Sequence, residues 1–441
     1  MSRHEKFKFK NKEKFLKKIH DLGLDIPFSE GISILFEKIS IAGKTLPNRF
    51  AVHPIEGADA EAGGSPGELT FRRYQRYAAG GSGLIWFEAT AVSEQGRSNP
   101  RQLMLTKKNK DAFKELVERT REASQRAWGK DHTPLLVLQL THSGRYSKPE
   151  GKSAPVIAQR NPILDPLLDL PADYPLIKDS ELERLEDIFV SAAKLARAAG
   201  FDAVDIKACH GYLVSELLAS FTRKDSNYGG SFENRTRFLL EIAKKIKDCV
   251  PGILVTSRLS TYDAIPYPFG FGVDKENCEK EDLSETKRLI KELLKISLLL
   301  LNISIGNPHY RPHYGRPYDK PCRGAKLPDE HPLFGVARLL RITAELQQEF
   351  PGLAIVGTGY SWLRHFFPNV ASALIKQGKV TLVGQGRGAL AYPDSVKDLV
   401  HKGAMDEDKT CTTCSRCSQL LRDGGRVGCV TRGQTFKSFI I

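Results

Sequence analysis

Eight short apolar segments, rich in β-branched residues, recur along the chain at 49–53, 84–89, 135–140, 203–207, 253–259, 298–305, 353–357 and 380–384. Most are separated by stretches whose apolar positions repeat at helical spacing, among them 111–128, 180–199, 233–249, 284–296 and 334–350. A strand apolar at every position is covered on both faces, and strands alternating with helices assemble into a parallel sheet. Eight such repeats predict an α/β fold closed as a (β/α)8 TIM barrel, with an open doubly wound sheet as the alternative.

The same pattern divides the chain. Residues 1–35 read as a basic N-terminal extension with a short amphipathic helix at 12–22, 36–405 as the barrel, and 406–441 as a Cys-rich tail. The segment 144–180 carries six prolines and leaves the third strand as a rim or lid rather than a linker. Residues 262–282 and 307–332 are similar Gly-, Pro- and Tyr-rich loops.

Charge and composition narrow the setting. No stretch approaches the roughly 20 apolar residues that cross a bilayer, and residues 1–20 lack a secretory apolar core. They alternate Lys with Phe instead, and eight basic residues against two acidic ones supply six of the fourteen net positive charges. That reads as a solvated arm, and no aromatic stacking motif accompanies it to suggest nucleic acid. Cys209, Cys249, Cys278 and Cys322 stand singly, the other four cysteines cluster, and no export signal is visible. A reducing cytoplasm is the expected compartment.

In a barrel, chemistry collects at the C-terminal ends of strands. Unusual residues fall there: Pro54 and Glu56 after the first strand, Gln139 and His142 at the third, Lys207 and His210 at the fourth, Arg258 on the fifth, Asn302 on the sixth. Lys207 and His210 can both donate hydrogen bonds to one substrate oxygen or acidic group, and Tyr212 can supply a proton. Arg258, inside an apolar strand, needs a buried carboxylate or a ligand anion as partner. Gln139 can both donate to and accept from an amide-like edge. Gly357, Thr358, Gly359, Gly386 and Arg387 end the last two strands, where barrels often hold a phosphate, although glycines also end strands because turns need them. Neither GTGYSW nor GQGRGA fits the G-x-G-x-x-G dinucleotide fingerprint.

Cys411, Cys414, Cys417 and Cys429 have the C-x2-C-x2-C-x11-C spacing of a ligand set for a 4Fe-4S cluster or for zinc. Together with the Lys–His–Tyr strand end, they suggest a redox enzyme with two electron-carrying centres.

At these residues the chain resembles the old yellow enzyme family of FMN-dependent NAD(P)H:flavin oxidoreductases. The likeness runs from about residue 36 to 399 and is carried by PNRFAVHP (47–54), GLIWFEATAVSEQGRSNPRQL (83–103), LQLTHSGR (138–145), HGYLVSELLASFTRKDSNYGGSFENRTRFLLEI (210–242) and VGQGRGALAYPD (383–394). The resemblance implies FMN contacts at Pro54, Ala89, Gln139, Arg258, Gly357, Gly386 and Arg387. It also implies a substrate-oxygen pair at Lys207 and His210 and a proton donor at Tyr212. The Cys quartet resembles the 4Fe-4S ligands of the trimethylamine dehydrogenase and 2,4-dienoyl-CoA reductase branch. That branch continues into nucleotide-binding domains that this chain is expected to lack, which makes an electron-carrier protein the expected outlet.

Three departures from the family pattern bear on chemistry. Lys207 stands where His is usual, and a fixed cation suits a carboxylate as well as a carbonyl. By the resemblance Glu56 aligns with the residue near the flavin C4 carbonyl, usually Thr or Cys; a carboxylate there is expected to hinder flavin reduction unless it is protonated or paired, and to pair with Lys207 when substrate is absent. Ala58 falls where many members have Tyr. The expectation is an FMN-dependent enzyme exchanging hydride between flavin N5 and a small organic substrate, with NAD(P)H as candidate donor, a 4Fe-4S relay and a homo-oligomer as candidate assembly. Its rivals are an NAD(P)H-dependent ene-reductase with zinc or nothing at the cysteines, an FMN-dependent RNA-modifying barrel and a non-catalytic scaffold.

Overall fold

The computed structural model describes residues 4–433; Arg3 of the basic extension and residues 434–441 of the tail lie outside the described residues. Eight parallel strands close into a barrel. A hairpin of β1 (Ile39–Ile41) and β2 (Lys44–Leu46) precedes it. The barrel strands are β3 (Phe50–Val52), β4 (Leu84–Ala91), β5 (Leu135–Thr141), β6 (Ala203–Ile206), β7 (Leu254–Ser260), β8 (Leu300–Ser304), β9 (Ala354–Gly357) and β10 (Leu382–Gln385). β10 closes on β3, with Val383 opposite Phe50 and Gln385 opposite Val52.

Alternate strand residues point inward at one end of the barrel. Leu84, Trp86, Leu135, Val137, Leu300 and Leu382 form one buried cluster with Ile41 and Leu46 of the hairpin. The hairpin therefore plugs the N-terminal mouth, each buried aliphatic side chain there contributing about 1.5–3 kcal/mol, and the chemistry is left to the opposite mouth. Helices Lys110–Trp128, Asp179–Ala198, Phe232–Cys249, Ser284–Lys295 and Pro332–Glu349 cover the outside with their apolar faces.

The run around YGGSFENR holds structure rather than substrate. Ser231 caps the helix Phe232–Cys249 through the Asn234 amide. Arg235 donates to the Gly230 and Leu218 carbonyls and to Glu285, and its guanidinium lies 3.6 Å from the Phe221 ring centroid.

The extension differs from a solvated arm. Lys6, Lys8 and Lys10 are exposed, but Phe7 and Phe9 between them are buried, in one cluster with Phe15, Ile19, Trp362 and Phe366. Alternation puts one side of an extended segment in water and the other on the barrel. Asp319 fixes the arrangement, accepting from the Phe7 amide (3.1 Å), the Trp362 indole (2.8 Å) and Arg364 (2.6 Å). The proline-rich excursion is likewise pinned. Its Arg145, fully buried, pairs with Asp165 and with Glu216 at 2.8 Å, which makes the segment a fixed rim. Among the described residues, no helix is long and apolar enough to cross a membrane.

Candidate active site at the C-terminal mouth

The C-terminal mouth of the barrel opens into a cavity of about 870 Å³. Its wall includes Pro54, Glu56, Ala89, Gln139, Lys207, His210, Tyr212, Arg258, Thr358, Gly359, Gly386 and Arg387, residues that the sequence reading places in one site. Gly357 is not on this wall. A side chain there would meet the Tyr360 hydroxyl at 2.7 Å and Val380 at 3.0 Å, so close packing accounts for that glycine. His142 also turns away, its Nδ1 accepting from the Gly144 amide at 3.1 Å. Asn302 holds His53 at the cavity floor, Nδ2 to Nδ1 3.0 Å.

A buried carboxylate organises the inner wall. Asp205 on β6 accepts from Gln139 Nε2 (2.6 Å), Trp86 Nε1 (2.7 Å) and the Arg258 amide (2.6 Å). Burial raises its pKa to about 6 against the pull of these donors. The contact from Gln139 fixes the orientation of that amide on the cavity wall. The Arg258 guanidinium finds no such match: its Nε is buried without a hydrogen-bond partner, and desolvation pushes its pKa down. Arg387 gives one hydrogen bond to the Pro317 carbonyl (2.7 Å) and keeps a buried Nη1 without a partner. Two guanidinium donors left unsatisfied in one cavity are expensive unless a ligand completes them.

Lys207, His210 and Tyr212 meet as the strand end predicts. The Lys207 ammonium lies 3.6 Å from the Tyr212 ring centroid. His210 Nε2 lies 3.3 Å from Ser304 Oγ, and its backbone takes the left-handed φ of 66°, which aims the ring across the mouth. Burial, together with Arg258 and Lys207, holds the imidazole neutral far below its usual range. Burial pushes the Tyr212 hydroxyl well up, so it stays protonated.

The expected Glu56–Lys207 ion pair is not formed. The Glu56 carboxylate accepts from Ser98 and Asn99 instead, with Gln102 Nε2 at 3.5 Å. Burial raises its pKa, and Lys207 opposes the rise through space. Glu56 is held in place through its neighbour Gly57, whose amide donates to Glu88, itself bound to Arg73 at 2.7 Å.

Sequence reasoning missed the part of the wall that comes from far along the chain. Tyr146 stacks on His309 with ring centroids 3.6 Å apart, and Lys148, Arg316 and Arg422 line the opening. The tail itself forms one side: Cys417, Ser418, Leu421 and Val427 face the cavity, and the Val427 amide donates to the Gly57 carbonyl at 2.7 Å. The tail's spacing suggests a ligand set, but nothing in it indicates this position on the cavity wall.

The four tail cysteines are free thiols. Burial pushes Cys411 up to about 12, with Arg387 opposing and Cys417 and Cys429 adding to the rise. Cys417 is raised in the same way, with Cys414 and Cys429 adding. The thiols therefore neighbour one another and Arg387. Among the described residues, however, no group of three or more His, Cys, Asp or Glu side chains is arranged to hold a metal ion.

Comparison with known proteins agrees with this fold. An NADPH dehydrogenase of Clostridium acetobutylicum is 30% identical over 219 residues, 49% of this chain and 60% of that one. The fold is shared with a 2-naphthoyl-CoA reductase complex (TM-score 0.70, 20% identity, 91% of this chain and 57% of that one). It is shared also with an old yellow enzyme homologue from Zymomonas mobilis (TM-score 0.62, 21% identity, 85% and 94%). The chain spans between half and two thirds of the length of the curated relatives it matches. The sequence profile of one family covers residues 34–303, the stretch that builds β1 to β8 and about half of the cavity wall, and by that match the chain belongs to the NADH:flavin oxidoreductase / NADH oxidase family.

Proposed function

We propose that the chain is an FMN-dependent oxidoreductase acting on a small organic substrate, with NAD(P)H as electron donor. The observation that carries this reading is the pair of unpartnered buried donors, Arg258 Nε and Arg387 Nη1, on one cavity. They suit an anionic ligand with a polar ring edge and a phosphate, and Gln139, Thr358, Gly359 and Gly386 lie beside them. When bound there, FMN supplies a site for hydride exchange at N5.

The chain's own residues do the rest. Lys207 and His210 hold a substrate oxygen, the first as a cation and the second as a neutral donor. Tyr212 delivers or accepts the proton at its hydroxyl. Arg258 would hold positive charge beside a bound flavin, preorganised by the Asp205 contacts to its backbone and to Gln139. Tyr146 and His309 wall the opening and limit water.

The tail quartet is proposed as a 4Fe-4S site on its spacing and on the mutual influence of its thiols. Zinc is the alternative; among the described residues the sulfurs are not gathered as a metal site. Free, unpaired cysteines fit a cytoplasmic enzyme, and an electron-carrier protein is the proposed partner of a loaded tail.

One preparation tests both halves. Anaerobically purified protein is expected to show flavin absorbance that bleaches with NAD(P)H, plus a broad shoulder near 400 nm with iron and acid-labile sulfide. A colourless protein would remove the flavin reading; flavin with stoichiometric zinc and no iron would leave a flavin reductase without a redox cluster.

A further inference from the structure

The charge of the cavity speaks to the substrate. Seven arginines and lysines line it against two carboxylates, Glu56 and Asp423. Both acids are engaged elsewhere: Glu56 by Ser98 and Asn99, Asp423 by Gln419 (2.7 Å) and Arg323 (3.6 Å). With Arg258 and Arg387 assigned to the flavin, four of the remaining cations converge. Lys148, Lys207, Arg316 and Arg422 line the same opening and all act through space on the imidazole of His309, stacked on Tyr146, whose pKa desolvation of the ring and these charges push down.

Among the described residues, none of the four forms an ion pair with a carboxylate. Lys207, 5% exposed, rests its ammonium on the Tyr212 ring. Arg316 reaches Ser418 and the Cys322 sulfur (3.7 Å) and keeps a buried Nε unpartnered. Arg422 gives a 3.3 Å contact to the Pro308 carbonyl. A ring face offsets only part of the desolvation of a buried ammonium, and four like charges around one opening repel. A counter-charge brought by a ligand relieves both costs.

Resting on the active-site reading above, we infer that the substrate binds as an organic anion, its carboxylate or an equivalent oxyanion received among Lys148, Lys207, Arg316 and Arg422. A neutral carbonyl compound would leave these charges uncompensated. The phosphates of a nicotinamide nucleotide offer the same chemistry from a second source, so the test separates the two.

The FMN-loaded full chain is titrated by calorimetry with benzoate and with benzamide, which share a shape and differ in charge, and with ADP-ribose as the nucleotide probe. Benzoate is expected to bind roughly tenfold tighter than benzamide at low salt, the preference shrinking as salt rises. Lys207→Met is expected to shrink that preference severalfold, benzoate losing more than benzamide because it loses a counter-charge as well as a hydrogen bond, with ADP-ribose affinity changed less than about twofold, and Lys207→Arg to restore part of it. Arg422→Gln, on the exposed rim, is expected to weaken benzoate by about threefold, and it serves if Lys207→Met does not fold. Equal affinity for benzoate and benzamide overturns the inference, and so does a benzoate preference unchanged in both variants. Loss confined to ADP-ribose assigns the cations to the nucleotide and overturns it as well. A chain that carries no flavin yet still prefers benzoate defeats the flavin reading and leaves the anion site standing.

Discussion

The ammonium of Lys207 sits 3.6 Å from the centre of the Tyr212 ring, five residues further along the same strand-end loop. One contact thus joins the group proposed to grip the substrate to the group proposed to move its proton. The cation stays on the ring face while the hydroxyl remains at the edge for proton transfer, and burial keeps that hydroxyl protonated.

Tyr212→Phe separates the two roles. The ring under the ammonium is retained, so the melting temperature is expected to stay within a few degrees of the parent. Removal of the proton carrier is expected to lower kcat by roughly two to four orders of magnitude. Tyr212→Leu also strips the cation–π contact and is expected to cost about 0.5–2 kcal/mol in urea unfolding. A Tyr212→Phe enzyme with full kcat would assign the proton step to another group.

The barrel was legible because buried parallel strands are apolar at every position, and runs such as 135–140 admit few other readings. The inner site was legible for a related reason: Lys207, Arg258 and Gln139 are polar residues within apolar strands, where only a ligand or a polar network can keep them. The outer wall was not. His309, Arg316 and Val427 sit in loops whose course is set by tertiary contacts such as Val427 to Gly57 and Asp319 to Thr413, and no local period records those. The Lys–Phe alternation of the arm was visible in the sequence, but reading it by charge concealed that its phenylalanines are anchors.

Glu56 gives a pH-dependent signature. Burial raises its pKa, so it is neutral at low pH and ionises only above the usual carboxylate range. Glu56→Gln keeps a neutral acceptor for Ser98 and Asn99 at every pH. The flavin potential of this variant is expected to match the parent at low pH, where both are uncharged, and to exceed it at high pH, where only the parent carries a negative charge nearby. Each 1.4 kcal/mol of repulsion corresponds to about 30 mV for a two-electron couple. Potentiometry across the range that shows no divergence would place Glu56 away from the flavin.

His142 controls acid stability from outside the chemistry. Its ring is 1% exposed, and burial lowers its pKa from 6.5 to about 4. The unfolded chain takes up a proton as pH falls below 6.5, whereas the folded chain resists until about 4, so this residue destabilises the fold progressively across that window. The total is about 3 kcal/mol at roughly 1.4 kcal/mol per unit. His142→Gln keeps an acceptor for the Gly144 amide and cannot titrate. The stability of the parent relative to this variant is expected to fall by about that amount between neutral pH and pH 4, other titrating groups cancelling. A flat difference in urea midpoints would show that the folded imidazole takes up its proton as readily as the unfolded one.

Cys417 occupies two settings at once: it belongs to the tail quartet, and it lies on the cavity wall beside Arg422 and Leu421. Cys322 is a fitting control, a buried thiol 3.9 Å from the Ser415 carbonyl, outside the C-x2-C-x2-C spacing yet packed against the same turn. If the quartet ligates a cluster, Cys417→Ser is expected to lose most of the iron and acid-labile sulfide, because a thiolate is the ligand and a neutral hydroxyl is a poor substitute. Cys322→Ser is expected to keep both, together with the dithionite-reduced paramagnetic resonance signal. Flavin content is expected to survive in each, since Gln139, Arg258 and Gly386 are untouched. Equal metal content in the two variants would mean that the tail cysteines do not hold the metal, and zinc in place of iron in the parent would make the tail a structural clasp on Gly57 instead of an electron relay.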